Sequence, residues 1–335
     1  SFANWNPAVS GKVTEDKTYT AEWVANTDTA YKIEYYYQNN GVYAGTTTEF
    51  VSKTGTTGAS VTVSDADKIT SKTGYVFDES AANVLSGTIK GDGSLVLKVY
   101  FKQQFTVKYL PGTYGTFEEQ IYENLDYGSD IPEFSGNKTG KPGYTFSKRN
   151  PIVSGKVNEN KVYTAEWRAN TDTTYTVEYY YQNDGKYADT ATEHVSRAGT
   201  TDTTATVEES DKVTSKTGYV FDENANNILT GTIAGDGSLV LKLYFKQQFT
   251  VKYLPGVYGT FETQTYENLD YGSDIPEFSG NKTGKPGYSF ANWNPTVTGK
   301  VTEDKTYTAE WTPNTNTVYT VEYYYQKDGE YANTT

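Results

Sequence analysis

The chain repeats itself with a fixed period of 144 residues. Phe2, Phe146 and Phe290 each open an F-x-x-x-N-P segment. Tyr31, Tyr175 and Tyr319 open Y-x-[IV]-E-Y-Y-Y-Q at the same interval, and Phe105 and Phe249 open F-T-V-K-Y-L-P-G. A period of this kind makes each repeat a structural unit that has to be read before anything else. The period is itself composite. Two related modules alternate, and the boundaries read as 1–29, 30–104, 105–173, 174–248, 249–317 and 318–335. The first is the C-terminal part of one module type, and the last is only the opening strand of the other.

Both module types read as β structure. Tyr31, Ile33, Tyr35 and Tyr37 alternate with Lys32, Glu34, Tyr36 and Gln38, so the first four share one face of a strand. Leu95, Leu97, Val99 and Phe101 form the inward face of the closing strand of that module. In the other type Phe105, Val107 and Tyr109 point inward on the first strand, and Tyr163, Ala165 and Trp167 on the last. Outward charges are of opposite sign on first and last strands: Lys108 with Glu166, and Glu178 with Lys242. That pattern predicts side-by-side first and last strands. The expected fold is therefore mainly β, with tandem small β-grasp-like domains in an elongated rod. Lys90-Gly91-Asp92-Gly93-Ser94 predicts a hairpin turn, and Lys141-Pro142-Gly143-Tyr144 a type II turn. Helix is scarce, with one short turn expected near Ser64 or Ser129.

Composition narrows the function. There is no Cys, which removes disulfides and thiolate chemistry, and no Met. Both absences fit an oxidising, exposed setting. A net charge of −13 disfavours nucleic acid and anionic membranes as partners. No apolar stretch is long enough for membrane insertion.

The 105–173 and 249–317 modules resemble the Listeria–Bacteroides repeat, also called the internalin B-repeat. The resemblance rests on Gly287-Tyr288-Ser289-Phe290-Ala291-Asn292-Trp293-Asn294-Pro295 followed by Val301-Thr302-Glu303-Asp304-Lys305-Thr306-Tyr307-Thr308-Ala309-Glu310-Trp311. The middle copy departs from it, with Arg149 in place of Trp5 and Trp293. The 30–104 and 174–248 modules are similar, more loosely, to the mucin-binding-protein repeats of Gram-positive adhesins. Tyr175 to Tyr181, Gly218-Tyr219 and Leu239 to Phe245 carry that similarity. Together the resemblances imply small β-grasp-like domains in tandem on a secreted bacterial surface protein, extracellular and on the cell wall.

Residues that could carry chemistry are few. His194 is the only histidine, and the twin module has Phe50 at its position. Asp92 and Asp236 read as turn residues, since a calcium loop needs several oxygens at alternate positions. The acidic pairs Asp65/Asp67 and Glu209/Asp211 read as solvated turns. No Lys–Asn–acid set for an isopeptide bond stands out. No catalytic arrangement, cofactor or metal site is expected, and the chain does not read as an enzyme. The candidates for ligand contact or joint packing are Tyr36, Tyr180 and Tyr324, facing outward, with Trp5 and Trp293. The favoured function is a stalk or fibre segment whose partners are neighbouring modules or chains of the same protein. The alternative is an adhesin array binding host mucin, glycans or proteins through many weak sites.

Overall fold

The computed structural model describes residues 1–47 and 49–334. The chain divides into two compact units, Ser1–Arg168 and Ala169–Thr335, and it is mainly β throughout.

The first unit opens with β1 (Phe2–Asn6) and β2 (Thr20–Trp23), which pair antiparallel. The 30–104 module then contributes β3 (Thr29–Asn39), β4 (Val42–Tyr43), β5 (Phe50–Gly55), β6 (Ser60–Thr62), β7 (Tyr75–Phe77) and β8 (Ser86–Thr88). Next comes β9, Val96–Leu110, a 15-residue strand that runs unbroken from this module into the next. The second module adds β10 (Gly115–Thr116), β11 (Gln120–Asp126), β12 (Thr139–Gly140), β13 (Tyr144–Asn150) and β14 (Lys161–Ala169).

Leaving aside the short strands, the two modules share one topology. In the first, β5 pairs β3, β3 lies parallel to β9, and β7 pairs β9. In the second, β11 pairs the later half of β9, that half lies parallel to β14, and β13 pairs β14. Both sheets therefore run second–first–last–third around a parallel central pair. This is the β-grasp order, and it places first and last strands together as the alternating charges predict. The helix that a grasp fold lays across its sheet is not formed. A 3₁₀ turn at Asp65–Lys68, capped by Ser64, takes part of its place. At Ser129 the chain turns without helix, and Asp130 bridges to Lys156.

The second unit repeats this plan. Its strands are β15 (Thr173–Asn183), β16 (Lys186–Tyr187), β17 (Glu193–Gly199), β18 (Thr204–Thr206), β19 (Tyr219–Phe221), β20 (Thr230–Thr232) and β21 (Val240–Leu254). They continue with β22 (Gly259–Thr260), β23 (Gln264–Asp270), β24 (Thr283–Gly284), β25 (Tyr288–Asn294), β26 (Lys305–Pro313), β27 (Gln326–Lys327) and β28 (Glu330–Tyr331). Strand β21 is again 15 residues long and shared by two modules.

The alternation translates directly into core. Leu97, Val99 and Phe101 are fully buried, with Tyr31, Ile33, Val63 and Ile89 packed around them. Each such side chain stabilises the fold by roughly 1.5–3 kcal/mol relative to exposure. Val107, Tyr109, Val157 and Tyr163 form the neighbouring core.

Two expectations are corrected. Lys108 stands opposite Val162, not Glu166, which pairs with Lys148 at 3.4 Å. Glu178 and Lys242 do face each other, 3.9 Å apart. The turn at Lys90–Gly93 closes with a 2.9 Å bond from the Gly93 amide to the Lys90 carbonyl. It does not join β8 and β9 as a hairpin, because β8 pairs with β6; the two flanks meet in the antiparallel bridge of Val84 with Lys98. Tyr319 to Tyr325, an opening strand with no closing strand beside it, form no strand and are exposed. The identical motif in β15 is held by Val240 to Phe245 on β21, and a lone strand without such a neighbour is not stable.

Candidate functional site

Two surfaces recur in both units: the joint between modules and the aromatic face beside it. Tyr36 lies on the face opposite Tyr31 and Ile33, as alternation requires, but it does not reach solvent. It is 4% exposed, and Tyr180 is 5% exposed. The Tyr36 ring stacks on Tyr100 at 4.7 Å, and Tyr43 meets Tyr100 edge-on at 4.9 Å. Tyr180, Tyr244 and Tyr187 repeat the arrangement. The outward reading of Tyr36 and Tyr180 is therefore wrong in one respect: Tyr100 and Tyr244 stack on them, backed by Tyr43 on β4 and Tyr187 on β16. Two-residue strands leave too little pattern for a sequence reading to find.

The phenols are locked by carboxylates. Tyr36 donates to Glu34 at 2.7 Å, and Tyr43 to Asp78 at 2.7 Å. The Glu34 bond, aided by burial, pushes the Tyr36 phenol up to about 12. Burial and then the Asp78 bond push Tyr43 higher still. Tyr324 keeps the same local bond to Glu322, 2.6 Å, though its ring is half exposed. These hydroxyls stay protonated and serve as donors, not as acid–base groups.

At the joint, Lys102 reaches Asp126 at 2.5 Å, and Gln104 donates to the same carboxylate at 3.1 Å. The Asn40 amide donates to the Gln103 side chain, and the Gln103 amide to the Gln38 side chain. Gly41, at φ +79°, lies so close beneath Tyr127 that an added Cβ would sit 2.6 Å from the ring. Lys246–Asp270, Gln247 and Gly185 under Tyr271 repeat every contact. Burial alone would raise the Asp270 carboxyl, but bonds from Lys246 and Gln248 outweigh it and hold it below its ordinary value.

Trp293 is a core residue. Its ring lies 4.7 Å from Tyr253, 5.2 Å from Phe278 and 5.7 Å from Phe261. Trp5 lacks these neighbours and is 43% exposed. In the middle copy Arg149 enters the same box, 4.6 Å from Tyr109 and 4.3 Å from Phe134. It is 9% exposed, and its Nη1 and Nη2 are buried without a hydrogen-bond partner. Burial pulls the guanidinium below its ordinary pKa.

One surface escapes the sequence reading. Tyr114 and Tyr144 stack nearly parallel at 4.3 Å, and Tyr258 and Tyr288 at 4.4 Å. Tyr114 is 44% and Tyr258 48% exposed, whereas Tyr144 and Tyr288 are half-buried. The Y-G-T of the first partner and the K-P-G-Y turn of the second were visible 30 residues apart, but nothing in either predicts that they meet. A cleft of about 230 Å³ between Pro295 and Tyr307 recurs at Val9–Tyr19. Its charges are already paired, Lys300 with Asp274 and Lys305 with Glu303. His194 lies exposed on β17, opposite Glu178. Among the described residues no cluster of three His, Cys, Asp or Glu could hold a metal.

The carboxylates and phenols bracket a pH window. Asp67, Asp78, Asp211 and Asp270 are all held below the ordinary carboxylate value by the bonds they accept, against the opposing effect of burial. Their contribution is present above the unfolded value of about 3.9 and lost as pH falls through the folded one. Tyr35, Tyr179 and Tyr253 are raised to about 12, chiefly by burial. Their contribution is present below about 10 and lost as pH rises toward 12. Urea midpoints should be flat between pH 6 and 9 and fall on both sides. A midpoint unchanged at pH 3 would show that these pairs add nothing.

No family model matches this chain, and no curated protein matches it. The fold and the recurring joint define it as a mainly β repeat protein.

Proposed function

We propose that the chain is a spacer segment, a stalk or fibre piece of a long extracellular bacterial protein. The observation that carries this reading is the joint. A flexible linker would let modules tumble, whereas β9 and β21 cross from module to module as single strands, tied on both sides by side-chain bonds. Stiff repetition suits setting a distance. The resemblance to repeats of bacterial surface proteins and the missing Cys and Met point the same way. The exposed Tyr114 and Tyr258 favour a second reading, in which each 105–173-type module offers a ring for a sugar to stack on.

Small-angle scattering with a mucin-binding assay tests both. A spacer gives scattering of an extended, rigid particle and no saturable binding. Saturable mucin binding that disappears in Tyr114→Ala/Tyr258→Ala, with the melting temperature retained, would replace the spacer reading by the adhesin one. Tyr180→Ala is no test of binding, because it would empty a buried position.

A further inference from the structure

We infer that each module is a mechanical clamp loaded in shear, so that the chain resists being pulled along its length far better than being peeled open. The inference gives the spacer reading a physical task and rests on it for its biological use, but the geometry stands by itself.

Consider how tension travels through the 30–104 module. It enters at the start of β3 and leaves along β9 past Phe101. The two strands are parallel neighbours, with Lys32 to Tyr37 in register with Val96 to Phe101. Pulling the ends apart therefore drags β3 one way and β9 the other, along the ladder. All six register pairs carry the force together, and none can open before the rest. The next module repeats the geometry. Tension enters along β9 at Phe105 and leaves along β14, and Val107 to Leu110 pair in parallel with Lys161 to Thr164. In the second unit β15 with β21, and β21 with β26, do the same. A chain of modules joined through turns would not guarantee this alignment. Within each unit the exit strand of one clamp, β9 or β21, is the entry strand of the next.

One face of each ladder is also dry. Ile33 is 1% exposed, and Leu97, Val99 and Phe101 are 0% exposed. Water cannot readily replace a rung as it loosens, and a hydrogen bond shielded from water is harder to exchange. The ladders differ in length, six register pairs in the 30–104 and 174–248 modules and four in the other two. The four-pair clamps should yield first.

Single-molecule pulling on the whole chain tests this. The chain has no Cys, so engineered thiols give unique attachment points. Terminal handles load every complete clamp in shear. Handles at Asp28→Cys and Lys90→Cys, both at exposed residues, instead pull β3 away from the side where β9 begins and peel the same ladder rung by rung. The expected result is a several-fold higher unfolding force through the termini than through the internal pair. The terminal trace should show two lower and two higher events. Each should lengthen the chain by one module of about 70–75 residues, about 240 Å at roughly 3.4 Å per residue. Equal forces in the two directions would overturn the clamp while leaving the spacer reading intact. Mucin binding would remove the spacer reading and leave the directional difference untouched. A single force class would overturn the assignment of strength to ladder length.

Discussion

Arg149→Trp is expected to raise the stability of the first unit by about 1–3 kcal/mol, the cost ordinarily attached to a buried, unsatisfied polar group. The reason lies in the third copy. There Trp293 fills a box of Tyr253, Phe261, Phe278 and Phe290. The middle copy presents the equivalent rings to a guanidinium. Cation–π attraction to Tyr109 and Phe134 offsets part of the cost, but two nitrogens remain without acceptors. The reverse change, Trp293→Arg, should destabilise the second unit by a similar amount. Chemical denaturation of the single variants would measure both. If Arg149→Trp lowers the midpoint, the aromatic box has reshaped around arginine and the comparison between copies fails.

Phe101→Ala should cost about 3–5 kcal/mol, the usual penalty for emptying a buried aromatic site. Phe101 is 0% exposed, stacks on Tyr37 at 5.1 Å and touches the rings of Tyr35 and Phe77. The larger interest is where the damage spreads. Phe101 belongs to the 30–104 core, but its strand continues as the central strand of the next module. Hydrogen exchange should therefore speed up at Val107 to Leu110 as well as at Leu97 to Phe101. Protection that stays native beyond Gln104 would mean that the modules fold independently despite sharing a strand.

Much of this fold was legible because its strands obey a period of two. Tyr31 and Ile33, Leu97 to Phe101, and Val107 and Tyr109 all fall where alternation puts them. The pairing of first and last strands was legible from Glu178 and Lys242. The same argument failed at Lys108, because matching charges identifies neighbouring strands without fixing register. The buried state of Tyr36 was not legible either. Alternation assigns a residue to a face, but only the fold decides whether that face is covered, and here the Tyr100 ring, backed by Tyr43, covers it. The Tyr114–Tyr144 pair depends on a contact across 30 residues of turns, for which local pattern carries no signal. The Arg149 exception was visible in the sequence, but its unpaired nitrogens were not.

The unbroken strand also has an arithmetic consequence. Leu97, Val99 and Phe101 feed one core and Phe105, Val107 and Tyr109 the next, and all six numbers are odd. Side chains on a strand change face at every step, so both cores draw on the same side of β9, and the second unit does likewise with Leu241, Leu243, Phe245, Phe249, Val251 and Tyr253. A single residue inserted at Gln103–Gln104 would turn one core's residues to the opposite side, whereas two residues would restore parity. Such a protein is free to lengthen by whole modules, but at the joints made by a shared strand it can change length only in even steps.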